Sequence, residues 1–182
     1  MSVIINGSAG VTTNSGAVYD GISRGTSVTA SGTSVDFTSI PSWVKRITVM
    51  FDGVSTNGSS LPVIQLGDSG GIETTGYASQ GTLCGSNTYF PSSTSTSAFL
   101  IADTGYSQAS STYTGVMVIN NLTSNTFVAY SQCDMRNRVG SSPVIGLGSG
   151  SKTLSATLDR VRITTVNGTD TFDAGSINIL FE

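Results

Sequence analysis

The chain is predicted to be an all-β protein, an antiparallel β-sandwich of the jelly-roll type with an extended N-terminal arm. Charged residues make up only 10% of its 182 residues, and glycine occurs 22 times, whereas ordinary domains carry about 25% charged residues. Short runs that alternate apolar and polar residues recur between turn residues, as in proteins built from short strands. Residues that favour long helices, such as Ala, Leu, Glu and Lys, are sparse.

The clearest strand prediction runs from Trp43 to Phe51. Successive side chains of a strand point to opposite faces, which places on one face Trp43, Ile47, Val49 and Phe51. Trp43 is therefore predicted to anchor the core. Asp52-Gly53 and Asn57-Gly58 predict turns after this strand, because glycine accepts positive φ.

The chain divides into two predicted parts. Residues 1–30 are rich in Gly, Ser, Thr and Asn and form the predicted N-terminal arm, and residues 31–182 form the β-sandwich. Ser176 to Phe181 alternates like a strand close to the last residue. The C-terminal end is therefore expected to lie in a sheet, while the N-terminal arm attaches the domain to something larger.

Further strands are predicted between these parts. Gly115–Asn120 and Thr126–Ser131 should form a hairpin around Asn121–Asn125, and Gly67 to Ser97 is expected to form long loops. The apolar residues of Leu154–Leu158 are out of phase with Val161–Val166, which predicts a bulge near Asp159-Arg160. The remaining strand predictions are Val63–Leu66 and Ala98–Ile101.

Composition disfavours several classes of partner. The net charge is −3 and the basic residues are scattered, whereas a nucleic-acid-binding surface needs a basic stripe. No apolar run approaches the length of a membrane span, so no membrane insertion is expected. Cys84 and Cys133 are the only cysteines; one disulfide is conceivable, but two reduced thiols are the favoured interpretation.

One motif suggests catalysis and fails a chemical requirement. Gly67-Asp68-Ser69-Gly70-Gly71 reproduces the string around the nucleophile of chymotrypsin-like proteases, yet the chain contains no histidine to accept the serine proton. The eleven acids are scattered, and no pair stands out as a catalytic dyad. The protein is therefore predicted not to be an enzyme and to need no cofactor. Turn formation is favoured over Ca²⁺ binding for Asn167, Asp170 and Asp173.

Aromatic residues in polar stretches are the candidate binding residues. Tyr offers apolar area together with a hydroxyl, which suits sugar or protein surfaces. The alternative is that these rings form small cores beneath the loops, and the residues leave both open. The candidate binding face comprises Tyr77, Tyr89, Phe90, Tyr106 and Tyr113.

Three segments together resemble a family of bacteriophage and prophage virion proteins. They are SGTSVDFTSIPSWVKRITVMFDGVSTNG, QLGDSGGIETTGY and GSKTLSATLDRVRITTVNGTDTFDAGSINILFE. The resemblance is to C-terminal β-sandwich modules of tail-fibre or head-fibre proteins. The arm before this domain is short, which favours a head fibre or short appendage over a full-length tail fibre.

The resemblance implies a function as well as a fold. It implies a non-enzymatic protein of the virion surface, assembled in the cytoplasm of a bacterial host. Residues 1–30 would contact other capsid or tail proteins, and the domain would bind a host-surface glycan or protein. The alternative is a capsid decoration protein that stabilises the head.

Homotrimers are common among such modules and are therefore expected here. Weaker support comes from apolar residues on strand faces opposite the predicted core. The candidate subunit contacts are Val44, Met50 and Leu180.

Overall fold

The computed structural model describes residues 3–6, 10–13, 21–85, 90–139 and 142–182. These residues contain one 3₁₀ turn, Thr104–Tyr106, and no α-helix. The strands are β1 (Val3–Asn6), β2 (Gly10–Thr13), β3 (Ser23–Arg24), β4 (Val28–Thr29), β5 (Val35–Phe37), β6 (Arg46–Thr56), β7 (Pro62–Asp68), β8 (Gly71–Ile72), β9 (Tyr77–Cys84), β10 (Ser92–Ser95), β11 (Phe99–Leu100), β12 (Thr112–Thr123), β13 (Thr126–Arg136), β14 (Val144–Thr153), β15 (Leu158–Thr165) and β16 (Phe172–Phe181).

Two antiparallel sheets pack face to face and confirm the predicted β-sandwich. The large sheet has the order β10-β9-β14-β13-β12-β6-β16-β3, and β4 also pairs with β16. The small sheet has the order β11-β7-β15-β5, with β8 on β7. β1 and β2 form a separate hairpin. Core side chains with no exposed surface come from both sheets and include Val49, Leu66, Phe99, Met117 and Val161.

The large sheet has two ends, which position the candidate sites. At the entry end, Ser23 pairs with Phe181, and Phe181 pairs with Ile47 near the start of β6. At the opposite end, β9 and β13 finish and β12 and β14 begin. We call this the loop end, because the chain leaves the sheet there after Cys84 and Arg136 and re-enters it at Thr112 and Val144.

The prediction for β6 is confirmed except at its start. Ile47, Val49 and Phe51 are buried on one face as expected. Trp43 is not a core anchor, since 47% of it is exposed. The strand begins only at Arg46, and before it the Val44 N–H donates to the Pro41 carbonyl in a turn. The alternation therefore does not extend back to Trp43, which instead lies 6.0 Å from the Phe181 ring.

One predicted turn after this strand is a bulge instead. Gly53 has φ 61°, but β6 continues through it to Thr56. The register of β6 shifts there against both neighbouring strands, so the positive φ is used inside the sheet. The bend predicted at Asn57-Gly58 does occur, and it carries the chain from the large sheet to the small one.

The expectation of long loops between Gly67 and Ser97 is wrong, because β9 and β10 lie there. The inward side of β9 contains small residues where the backbone of another segment approaches closely. A Cβ atom on Gly81 would lie 2.1 Å from the Ala102 carbonyl oxygen, and one on Gly148 of β14 would lie 1.9 Å from that of Leu100. Only glycine fits at such contacts, so this strand lacks the aliphatic signal of an ordinary one.

The C-terminal predictions are partly confirmed. The β12–β13 hairpin exists, with Ser124-Asn125 as its turn. The predicted bulge also exists, as a register shift between Leu158 and Arg160. The prediction of a strand at Leu154–Leu158 is wrong, because residues 154–157 connect β14 to β15.

Part of the predicted arm belongs to the large sheet. Residues 23–29, which we call the strap, run along β16 through β3 and β4. The Gly25 N–H donates to the Ile179 carbonyl at 2.8 Å, and the Ala30 N–H donates to the Gly175 carbonyl at 3.0 Å. The arm that precedes the sandwich therefore ends before Ser23.

Candidate functional site

The structure separates the aromatic residues that were predicted to form one binding face. Tyr77 and Tyr113 are almost fully buried. The Tyr77 hydroxyl accepts from the Leu66 N–H at 2.7 Å, and the Tyr113 hydroxyl donates to Ser107 Oγ at 2.7 Å. Burial raises the pKa of both phenols, that of Tyr113 to about 12. These two residues belong to the core, and placing them on a binding face is wrong.

Two other members of the predicted binding face, Phe90 and Tyr106, lie at the loop end. Phe90 is 57% exposed, and Tyr106 is half-buried with the Arg138 guanidinium 5.4 Å from its ring centre. The Val139 N–H donates to the Tyr106 carbonyl at 3.1 Å, which joins two of the loops. Tyr89 lies outside the described residues.

The three candidate subunit contacts also separate. Val44 is buried within its own chain, so its assignment to a subunit contact is wrong. Met50 and Leu180 are half-buried on neighbouring strands β6 and β16, pointing away from the core. They lie on the outer face of the large sheet.

This outer face carries two rows of side chains that sequence reasoning missed. The strand register aligns one row as Thr94, Gln80, Ser149, Tyr130 and Val118, and the next row as Ser92, Thr82, Leu147, Gln132 and Val116. Neither row contains a charged residue. Tyr130 is 54% exposed, and Val116 and Leu147 are among the large exposed apolar side chains. Alternation along β13 and β14 indicates which of their side chains share a face. No rule from sequence alone indicates which strands become neighbours, so the rows could not be predicted.

Over these rows runs a shallow trough of about 520 Å³. Its lining includes Gln80, Thr82, Tyr130, Gln132, Leu147 and Ser149. A second concavity, which shares Gln80 and Ser149 with it, reaches Thr94 on β10. The trough therefore crosses the strands from β12 towards β10.

The protease-like motif forms a turn between β7 and β8. Asp68 accepts from the Gly70 N–H at 2.7 Å and from Ser155 Oγ at 2.8 Å. The Ser155 hydroxyl, followed by the Gly70 N–H, lowers the pKa of Asp68. The motif's carboxylate thus fixes the turn and the 154–157 connection.

A buried ion pair lies beside this turn. Lys152 is 4% exposed and pairs with Glu73, and its amine lies 5.3 Å from the Tyr77 ring centre. Burial by itself would raise the pKa of Glu73, but hydrogen bonds from Lys152 and Ser155 outweigh it and lower that pKa. Each group has a partner inside the domain, which indicates a structural contact.

The side chains considered for Ca²⁺ have hydrogen-bonding partners of their own. Asn167 Oδ1 accepts from the Thr169 and Asp170 N–H groups. Asp170 accepts from the Ser60 N–H at 2.9 Å, and Asp173 accepts from the Ser55 hydroxyl. These contacts fix the connection between β15 and β16. Within the described ranges, no group of three or more His, Cys, Asp or Glu side chains is arranged to hold a metal ion.

Both cysteines are free thiols, which confirms the favoured prediction. Cys133 points into the core and Cys84 away from it, and β14 separates their strands. Two strand spacings are about 10 Å, beyond the reach of a disulfide. Burial raises the pKa of Cys133 to about 12, so this thiol is unreactive.

The chain matches no known family, no curated protein and no solved structure. In the part of the chain that the structure describes, no helix is both long and apolar enough to cross a membrane.

Proposed function

We propose that this is a non-enzymatic surface protein of a phage particle, a short fibre or appendage of head or tail that attaches to the host. It is anchored by the N-terminal arm and presents the β-sandwich outward. Assignment to a phage particle is supported by the three segments that resemble phage virion proteins. A role without acid–base catalysis is supported by the absence of histidine from the chain.

The observation that carries this proposal is the point at which the chain enters the sandwich, relative to the loops. The chain enters the sandwich at Ser23, beside Phe181, at the entry end. Phe90 and the Tyr106–Arg138 pair lie at the loop end, which is the opposite end of the large sheet. A protein anchored through residues 1–20 would therefore hold these side chains away from its attachment point.

Deleting residues 1–20 tests the anchoring. The strap remains, so the truncated protein should fold and keep its melting temperature while failing to incorporate into particles. Normal incorporation would contradict the proposal. Labelled electron microscopy of intact particles would locate the protein on head or tail.

A capsid decoration protein is the second candidate, favoured by the half-buried apolar side chains Met50 and Leu180 on the outer face of the large sheet, which suit protein contact. Purified protein that labels host cells supports attachment, whereas protein that binds only capsids supports decoration. Phe90→Ala should weaken host labelling and leave capsid binding unchanged.

We also propose a homotrimer with contacts at Met50 and Leu180. Both residues place apolar surface on an outer face, where a solitary sandwich would carry polar groups. Light scattering should give three times the 18.7 kDa chain mass. The double variant Met50→Ser, Leu180→Ser should give the monomer mass, and a wild-type monomer at micromolar concentration would contradict the trimer.

A further inference from the structure

We propose that the trough on the outer face of the large sheet binds an uncharged oligosaccharide. This inference goes beyond the proposed function, because it concerns a surface distinct from the loop end. It also holds for the purified protein whether or not it belongs to a virion.

Tyr130 supplies the apolar platform of the trough. It is 54% exposed on β13 in the first row, and Leu147 and Val116 of the second row lie on the two neighbouring strands. A pyranose ring presents C–H groups on its face and hydroxyls on its rim. A tyrosine that is rigid, flat and amphipathic matches such a ring at little cost in conformational entropy.

Two glutamines supply the polar contacts. Each glutamine amide both donates and accepts hydrogen bonds, as sugar hydroxyls do. Gln65 and Gln108 donate to backbone carbonyls elsewhere in the fold. By contrast, Gln80 and Gln132 are exposed and have no hydrogen-bond partner among the described residues. Their amides are available to a ligand: Gln80 pairs with Ser149 in the first row, and Gln132 lies in the second row between Leu147 and Val116.

The charge distribution selects an uncharged ligand. No charged side chain lines the trough. Arg136, on one of the strands that form the trough, lies towards the loop end, where it is paired with Asp134 at 2.5 Å. An acidic polysaccharide would therefore find no cation within the trough. A neutral chain needs only hydroxyl and amide partners, which the two rows provide.

The dimensions favour a narrow, linear ligand over a second copy of the chain. Four strands from β10 to β13 span about 14 Å, and two rows span about 7 Å. The two rows cover far less than the roughly 800 Å² per partner of a stable protein interface, and the contact proposed at Met50 and Leu180 lies beyond them on β6 and β16. The volume of about 520 Å³ falls within the roughly 300–1,000 Å³ of small-molecule sites.

Saturation-transfer NMR and titration calorimetry on the full-length protein test this inference. The probes are hexamers of maltose-type, cellulose-type, mannan-type, galactan-type and chitin-type sugars, with hexagalacturonate as the charged control. At least one neutral hexamer should bind, and hexagalacturonate should not bind at the same concentration. Tyr130→Ala should weaken binding about 30-fold, which corresponds to about 2 kcal/mol.

Trp43→Ala is the matched control, because it removes an aromatic ring of similar exposure outside both the trough and the loop end. It should change affinity by less than about twofold. Gln132→Ala is a second trough variant and removes no contact within the described fold. Melting curves check that each variant folds.

Five results would overturn the inference. Four of them are binding of no neutral hexamer, equal binding of hexagalacturonate, unchanged affinity in both trough variants, and an equal loss in Trp43→Ala. Self-association that Tyr130→Ala abolishes would also overturn it, and would identify a second copy as the occupant.

Discussion

The outer faces of the two sheets have different chemistry although they cover the same core. On the small sheet, Arg162 makes two hydrogen bonds of 2.7 Å to the Asp36 carboxylate on the neighbouring strand, and Arg160 pairs with Asp159 at 2.6 Å. On the large sheet, two adjacent rows across β10, β9, β14, β13 and β12 contain no charge.

This difference indicates which face is built for contact. Charged side chains on the surface of a sheet are well hydrated, and they oppose aggregation of the sheet with other molecules. The two rows, made of hydroxyls, amides, apolar side chains and a tyrosine, lack that protection, although charged pairs lie on the same face outside them at Arg46–Glu182 and Asp134–Arg136. We therefore interpret the outer face of the small sheet as a solvent face and the two uncharged rows of the large sheet as a binding surface.

The largest expected effect tests whether the binding face rests on a rigid support. Gly148→Ala would place a methyl group against the Leu100 carbonyl oxygen beneath the trough, and we expect a loss of about 3 kcal/mol in unfolding free energy. Ser149→Ala, on the adjacent outward residue, should change it by less than about 0.5 kcal/mol. Urea unfolding measures both, and equal losses would contradict the packing described for β14.

The next effect compares a buried ion pair with an exposed one. Glu73→Ala leaves Lys152 buried without its partner and should cost about 3 kcal/mol of unfolding free energy. Asp36→Ala removes an exposed pair on the small sheet and should cost less than about 1 kcal/mol. Thermal unfolding of the two variants checks the order, and the reverse order would refute the assignment of Lys152 to the interior.

The same carboxylate predicts a pH dependence. Because its folded-state pKa is lowered from 4.5, Glu73 stabilises the fold above the unfolded-state pKa, and this stability is lost as pH falls through the folded-state pKa. Wild-type stability should therefore decrease in acid below about pH 4.5. Glu73→Gln should show a smaller decrease, and an identical pH profile in this variant would exclude the contribution.

The smallest effect contrasts two tyrosines. Tyr113→Phe removes the hydrogen bond to Ser107 and should cost about 1 kcal/mol. Tyr130→Phe lies on the exposed face and should leave stability unchanged. Chemical denaturation distinguishes them, and a larger loss for Tyr130→Phe would show that this ring is not a surface side chain.

The sequence predicted what depends on local alternation. The buried set Ile47, Val49 and Phe51, the β12–β13 hairpin and the bulge near Arg160 follow from side-chain period and turn residues. Trp43 was misplaced because the period was extended through a turn that ends at the start of β6. The strand β9 was missed because two of its inward positions are Ser79 and Gly81, which contact the backbone of Leu100 and Ala102. These positions therefore carry no aliphatic side chain.

The candidate site was less predictable than the fold. Tyr130 and Gln80 are far apart in sequence and become neighbours only because β14 pairs with both of their strands. Such long-range pairing is not encoded in any single segment. Aromatic character alone selected Tyr77 and Tyr113, although their hydroxyls find partners inside the protein and allow burial.

The most direct test compares one glutamine from each outer face. Gln132→Glu puts a negative charge in the trough, and Gln65→Glu puts the same charge on the small sheet, where Arg162 is its cross-strand neighbour. With both variants folded, calorimetry with the neutral hexamer that binds the wild type should show at least a tenfold loss of affinity for Gln132→Glu, about 1.4 kcal/mol, and no change for Gln65→Glu. Equal affinities in the two variants, or a loss confined to Gln65→Glu, would contradict the assignment of the large-sheet face as the binding face.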